Sequence, residues 1–172
     1  QILTCGRDIG EILVADKRVA LISATGSSAM GAIVGQNIAK RFGKSILELG
    51  GNNAIIVSKH ADLDLAFQGI VFGTVGTCGQ RCTTTRRLFV HEDVYDDLIP
   101  RIKKAFAGVS IGNPLDEGTL MGPLIDEGSF NDMQNAIEVA KESAGIVTGG
   151  GRALEAEYPN AYYVNAALVE MQ

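Results

Sequence analysis

The run RVALISATGSSAMGAIVGQNIAKRFGKSILEL, residues 18–49, changes its hydrophobic period twice. Arg18–Ala24 is short, apolar and rich in β-formers, which predicts a strand. Thr25-Gly26-Ser27-Ser28 follows as turn and N-cap chemistry, because hydroxyls accept bonds from the unpaired N–H groups of a helix start. Met30, Ile33, Val34, Ile38 and Phe42 then recur at steps of three and four, predicting an amphipathic helix over roughly 28–42. Gly43-Lys44 closes it, with Gly43 in the position that a left-handed C-cap prefers. Ser45–Leu49 reads as the next strand, ended sharply by Gly50-Gly51. Strand, helix and strand in succession imply a parallel pair joined by a crossover.

The pattern continues outward. Asn53–Val57 reads as a buried strand. Asp62 is a suitable N-cap for a helix through about Val75. Thr74–Thr85 is a loop of Gly, Thr and Cys, and Arg87–Val90 is another strand. Asp93 is expected to cap a helix carrying Val94, Leu98, Ile102 and Phe106 on one face, with a kink at Pro100. Asn113-Pro114 and Met121-Gly122-Pro123 mark a long connection. Residues 131–143 are helical by period, Ile146–Thr148 is a short strand, Gly149–Gly151 a turn, and Ala166–Met171 a strand. Strands alternating with helices give the α/β class.

Composition removes several functional classes. The 172 residues are 46% hydrophobic and 20% charged, enough to bury a core and unlike a disordered chain. Glycine, at 21 residues, is abundant but has no Gly-X-Y period, so no collagen-like rod is expected. A net charge of −5 argues against a nucleic-acid surface, which requires a basic face. No apolar run approaches the roughly 20 residues of a membrane-spanning helix, and no signal peptide is visible. Three cysteines, an odd number, suit a reducing compartment better than a disulfide framework. The chain begins at Gln1 and stops at Gln172, just past an apolar stretch, and reads as an interior segment of a longer protein.

Three stretches carry chemistry. Thr25–Gly31 lies between a strand and a helix, where free N–H groups and the helix dipole attract phosphate. It is neither Gly-x-Gly-x-x-Gly nor a Walker loop, and by itself it reads as a plain N-cap and tight turn. Glu48, beside Gly50 and Gly51 at a strand's end, sits where α/β sheets place ligands and is placed to act as a general base on water. An exposed strand-end glutamate looks the same. Cys82 follows Arg81 in a polar, Gly-lined loop, a setting that favours a thiolate nucleophile. A small structural cysteine also fits. Cys78 and Cys82 lack the spacing of zinc or thioredoxin sites, and His60 and His91 stand apart, so no metal site is expected.

In their order along the chain these stretches are more specific than any one of them. Thr-Gly-Ser, then Glu48-Leu-Gly-Gly, then Gly79-Gln-Arg-Cys resembles the aldehyde dehydrogenase superfamily from about Arg18 to Val169, with Glu48 and Cys82 34 residues apart as in that family. Glu48-Leu-Gly-Gly-Asn-Asn-Ala-Ile-Ile and Gly79-Gln-Arg-Cys-Thr-Thr-Thr-Arg-Arg-Leu-Phe look like its antiquitin branch, which oxidises α-aminoadipic semialdehyde in lysine breakdown.

The resemblance implies the end of a Rossmann-like cofactor-binding domain over residues 1–50. Part of the thiol-bearing α/β catalytic domain would follow over 51–172. It implies Cys82 as the nucleophile, with its own N–H helping to hold the oxyanion, and Glu48 as the base that activates water on the thioester. Gly26 and Ser27 would meet the pyrophosphate of NAD, NADP remaining open, and Leu49 and Gly50 would line the nicotinamide. Arg81 would contact a substrate carboxylate or form a structural salt bridge.

A small aldehyde as substrate, a homotetramer, and a cytoplasmic or mitochondrial-matrix location also follow from the resemblance. The chain departs from the family pattern in Ala24, where a Phe is usual, and in Ser28, where a Thr is common. The family's oxyanion Asn, cofactor Lys and late Glu are expected outside this segment. Two rival expectations are an acylating, coenzyme A-dependent enzyme and a non-catalytic relative on the same fold. Glu48 argues against the first, and the presence of both Cys82 and Glu48 against the second.

Overall fold

A computed structural model of the chain describes residues 2 and 4–171. The chain divides into two compact units, Gln1–Gly51 and Asn52–Gln172.

In the first unit, helix α1 (Arg7–Ala15) precedes strand β1 (Leu21–Thr25), helix α2 (Ser28–Lys40) and strand β2 (Lys44–Glu48). β1 and β2 pair in parallel, from Leu21 opposite Lys44 to Thr25 opposite Glu48. The strand–helix–strand reading therefore holds, while α1 escaped it. Ile22, Val34 and Ile38 are buried together, with Val14, Val19, Ala24, Met30 and Leu47 packed around them. One local expectation fails at the C-terminus of α2. The left-handed residue is Phe42, with φ 56°, rather than Gly43. The Phe42 N–H donates to the Ala39 carbonyl and the Gly43 N–H to the Ile38 carbonyl, both at 3.1 Å. These are the two bonds that close a Schellman motif, and they hold Phe42 where glycine is usual.

In the second unit, strand β3 (Asn53–Val57) leads into helix α3 (Leu63–Val75), a 3₁₀ turn at Gly76–Gly79, strand β4 (Thr85–Val90) and helix α4 (Glu92–Ala107). Asp62 caps α3 as expected, accepting from the Asp64 and Leu65 N–H groups. The cap of α4 is His91, whose Nδ1 accepts from Asp93 N–H, so Asp93 lies inside the first turn and not before it. α4 is one unbroken element of 16 residues through Pro100.

β3 and β4 pair in parallel, with an irregularity between Asn53 and Ala54. Val57, Ile70, Val94, Leu98, Ile99, Ile102 and Phe106 form the core between these strands and α3 and α4. Helix α5 (Glu127–Glu142), capped by Asp126, starts four residues before its expected boundary. Strands β5 (Ile146–Gly149), β6 (Arg152–Ala153), β7 (Tyr163–Val164) and β8 (Ala167–Glu170) complete the unit. β5 pairs with β8, and β6 with β7, antiparallel. Gly149 and Gly150 both have positive φ, and a Cβ on Gly149 would collide with the Ala166 carbonyl, so this turn requires glycine.

Candidate active site

Within the first unit, five of the residues singled out from the sequence gather at the carboxyl ends of the strands. The Gly26 N–H donates to the Glu48 carbonyl at 3.0 Å, which ties the end of β1 to the end of β2. Ser27 caps α2, its hydroxyl accepting from the Met30 N–H at 3.1 Å. The N–H groups of Ser28 and Ala29 have no acceptor among the described residues. Leu49 lies against Gly31, where a Cβ would sit 2.5 Å from a Leu49 methyl. A Cβ on Gly50 would stand 4.0 Å from the Ser28 hydroxyl. The helix start is thus small, exposed and rich in free donors. These are the properties that admit a phosphate group. The Glu48 carboxylate is exposed and makes no hydrogen bond or ion pair among the described residues.

In the second unit, the residues around Cys82 form a tight turn. The Thr84 N–H donates to the Arg81 carbonyl at 3.1 Å, which puts Cys82 and Thr83 in the two central positions. Cys82 is exposed. The N–H groups of Cys82 and Thr83 donate to nothing among the described residues, so the nucleophile candidate carries a free donor on its own backbone. Cys78 is different. It is half-buried, and burial pushes its thiol above the usual cysteine value. It borders an open cleft of about 1130 Å³ that β4 and β8 also line. Thr77, Cys78 and Gly79 are left-handed in succession, with φ of 56°, 53° and 68°. Two of them are not glycine, so the backbone is strained just before the turn.

The Arg81 side chain reaches back along the chain to α3. Its guanidinium donates to the Phe72 carbonyl at 3.1 Å and lies 4.9 Å from the centre of the Phe72 ring. Phe72 is in the last turn of α3, where a cation complements the helix dipole. The role seen in this structure is a helix-end contact, not the salt bridge considered from the sequence.

Three supporting residues lay outside the sequence reading. Thr84 is 3% exposed, and its hydroxyl accepts the Arg81 N–H at 3.1 Å. The Gln80 side chain bridges to the later connection, donating to the Pro123 carbonyl and accepting from the Ile125 N–H. Asn53 donates to the Cys82 and Thr84 carbonyls. A buried threonine is locally detectable as a turn former, but the other two contacts span 29 residues or more. Among the described residues, no group of three or more His, Cys, Asp or Glu side chains is placed to hold a metal.

The sequence model of the aldehyde dehydrogenase family matches residues 1–171. The chain is 49% identical over 152 residues to aldehyde dehydrogenase family 7 member A1 of Pisum sativum, covering 88% of this chain and 30% of that protein. It is 47% identical over 154 residues to alpha-aminoadipic semialdehyde dehydrogenase of Bos taurus, covering 89% and 29%. The structure superposes on betaine aldehyde dehydrogenase of Staphylococcus aureus in complex with NAD+ with a TM-score of 0.90 at 27% identity, covering 98% of this chain and 34% of that one. Lactaldehyde dehydrogenase of Escherichia coli gives a TM-score of 0.87 at 34% identity, covering 94% and 33%. The chain spans about a third of the length of the curated relatives it matches.

Proposed function

The chain belongs to the aldehyde dehydrogenase family, and from that premise we propose that the protein oxidises an aldehyde to a carboxylic acid through Cys82 and Glu48. The observation that carries the proposal is the exposed Cys82 in a turn whose own N–H is free. The likeness to alpha-aminoadipic semialdehyde dehydrogenase of Bos taurus supports a substrate of that class, an aldehyde with a distant carboxylate. Residues 1–50 would then contribute to the cofactor-binding domain and 51–172 to the catalytic domain, within a homo-oligomer in a reducing compartment.

A nicotinamide dinucleotide suits the first unit on structural grounds. The Ser28 and Ala29 N–H groups are free, and a Cβ on Gly26 would fill the approach to them, 2.6 Å from the Met30 terminal methyl. Gly26, Ser27 and the α2 start would hold the pyrophosphate, with Leu49 and Gly50 toward the nicotinamide. When bound, that group supplies the hydride acceptor of the oxidation.

The chain's own residues carry the other steps. The Cys82 thiolate adds to the carbonyl carbon, the C=O electron pair moves to oxygen, and the free Cys82 N–H donates to that oxyanion. Once the thiohemiacetal is oxidised to a thioester, Glu48 takes a proton from water. Hydroxide adds to the thioester carbon, the C–S bond breaks, and the acid leaves as the Cys82 thiolate is restored.

The test is a panel of semialdehydes and aliphatic aldehydes with the full-length protein, read as reduced nicotinamide with NAD and with NADP. Turnover of a carboxylate-bearing semialdehyde is expected to exceed that of aliphatic aldehydes. Absence of any reduced cofactor with every aldehyde would refute the reading, and a thioester that persists until coenzyme A is added would replace hydrolysis by acyl transfer.

A further inference from the structure

We propose that Asn53 is a positioning residue for Cys82, its carboxamide continuing the β3–β4 ladder past the point where the backbone ladder stops. The role rests on Cys82 being the nucleophile. The Asn53 Nδ2 donates to the Cys82 carbonyl at 2.6 Å and to the Thr84 carbonyl at 2.9 Å. These carbonyls are two residues apart, the spacing a neighbouring strand would address with its own N–H groups.

The backbone does not supply those donors. Asn53 stands opposite Thr85 and Ala54 opposite Arg87, so Arg86 is an extra residue on β4. Such a bulge bends the strand and interrupts pairing. On the other side of Asn53, the Asn52 carbonyl is taken by two bonds from the Arg87 guanidinium, at 3.2 and 2.8 Å. The Asn53 side chain fills the gap with both donors of one planar NH₂ group. Aspartate has no donor there, and serine has one.

The consequence falls on Cys82. Its two flanking peptide planes are each held by one bond. The Arg81 carbonyl, in the plane that carries the Cys82 N–H, takes the Thr84 N–H. The Cys82 carbonyl, in the other plane, takes Asn53. Holding both planes fixes φ and ψ of Cys82, and with them the directions of its thiol and of the N–H offered to the oxyanion. Misplacement by about 1 Å is enough to lower a rate by roughly a hundredfold.

The experiment uses Asn53→Asp and Asn53→Ser in the full-length protein. It measures hydrogen exchange at the Thr84 amide and in α4, the burst rate of reduced cofactor, and the aldehyde KM. In Asn53→Asp, Thr84 exchange is expected to rise about tenfold with α4 unchanged. The burst rate is expected to fall about tenfold or more while KM stays within about twofold. Asn53→Ser, with one donor, should fall between. Wild-type Thr84 exchange in Asn53→Asp, or a wild-type burst rate beside raised exchange, overturns the proposal. So do α4 exchange and KM rising together with the loss of burst, which marks a merely structural role. If the wild type itself reduces no cofactor with any aldehyde, aldehyde oxidation fails as a reading, and Thr84 exchange alone decides whether the clamp exists.

Discussion

Arg81 and Thr84 bond each other in both directions: the Arg81 N–H donates to the Thr84 hydroxyl and the Thr84 N–H donates to the Arg81 carbonyl, each at 3.1 Å. This pair closes the turn that presents Cys82. Thr84 is buried, so water cannot replace its hydroxyl. Thr84→Val keeps the volume but leaves the Arg81 N–H unpaired, a cost of about 1–3 kcal/mol. Urea unfolding of the variant should show a lower midpoint, and the burst rate should fall with it. An unchanged midpoint would mean the hydroxyl is dispensable.

Cys82→Ser should abolish aldehyde oxidation and leave cofactor binding near normal, because a hydroxyl is a far weaker nucleophile than a thiolate. Cys78→Ser should retain most activity, since Cys78 is half-buried with its thiol pushed toward the neutral form. Steady-state rates and cofactor titration on both variants make the comparison. Equal losses would move the nucleophile away from Cys82.

Glu48→Gln should leave the first oxidation intact and stall hydrolysis. Stopped-flow absorbance is expected to show a burst of about one reduced cofactor per site followed by slow turnover. A missing burst would place Glu48 earlier, in activation of the thiol.

Arg81→Ala removes the contact to the Phe72 carbonyl and ring, a loss of about 1–2 kcal/mol of stability at this partly exposed site. Lowered thermal stability with kcat/KM falling alike for a carboxylate-bearing semialdehyde and an aliphatic aldehyde is the result expected from the contact seen here. A selective loss of the semialdehyde would restore the guanidinium to the substrate-carboxylate role that the family resemblance implies.

Acid should weaken the junction of α4 and β8. The Glu170 carboxylate bonds the Lys103 ammonium at 2.5 Å and the Tyr95 hydroxyl at 2.7 Å, with its side chain 17% exposed. Lys103 first, and then Tyr95, hold the Glu170 carboxyl below its usual value. A carboxyl lowered in the folded state adds stability above its unfolded pKa of about 4.3, and that stability is lost as pH falls below it through the folded value. The Tyr95 hydroxyl, pushed up to about 12 chiefly by its bond to Glu170, adds stability that disappears as pH rises from about 10 toward that value. Melting temperature measured against pH should therefore separate wild type from Glu170→Gln at neutral pH and bring them together below about pH 4. A constant gap down to pH 3 would contradict the coupling.

Short-range chemistry was legible in the residues themselves. Asp62 and Ser27 were readable as caps because a cap bonds an N–H two or three residues ahead. The β1–α2–β2 unit was readable because a change of hydrophobic period is a local signal. Even at that range competition decided some positions, since an imidazole at His91 and a left-handed Phe42 took places the usual preferences give to other residues.

The support of Cys82 could not be read this way. Its carbonyl is held by Asn53, 29 residues earlier, and that contact exists only once β3 and β4 pair in a register interrupted by a bulge. Likewise the direction of Arg81 follows from three left-handed residues that turn the chain back onto the end of α3. Candidate reactive groups are a matter of residue type and spacing. Their orientation depends on strand register and backbone reversal, which arise from packing between segments distant in the chain.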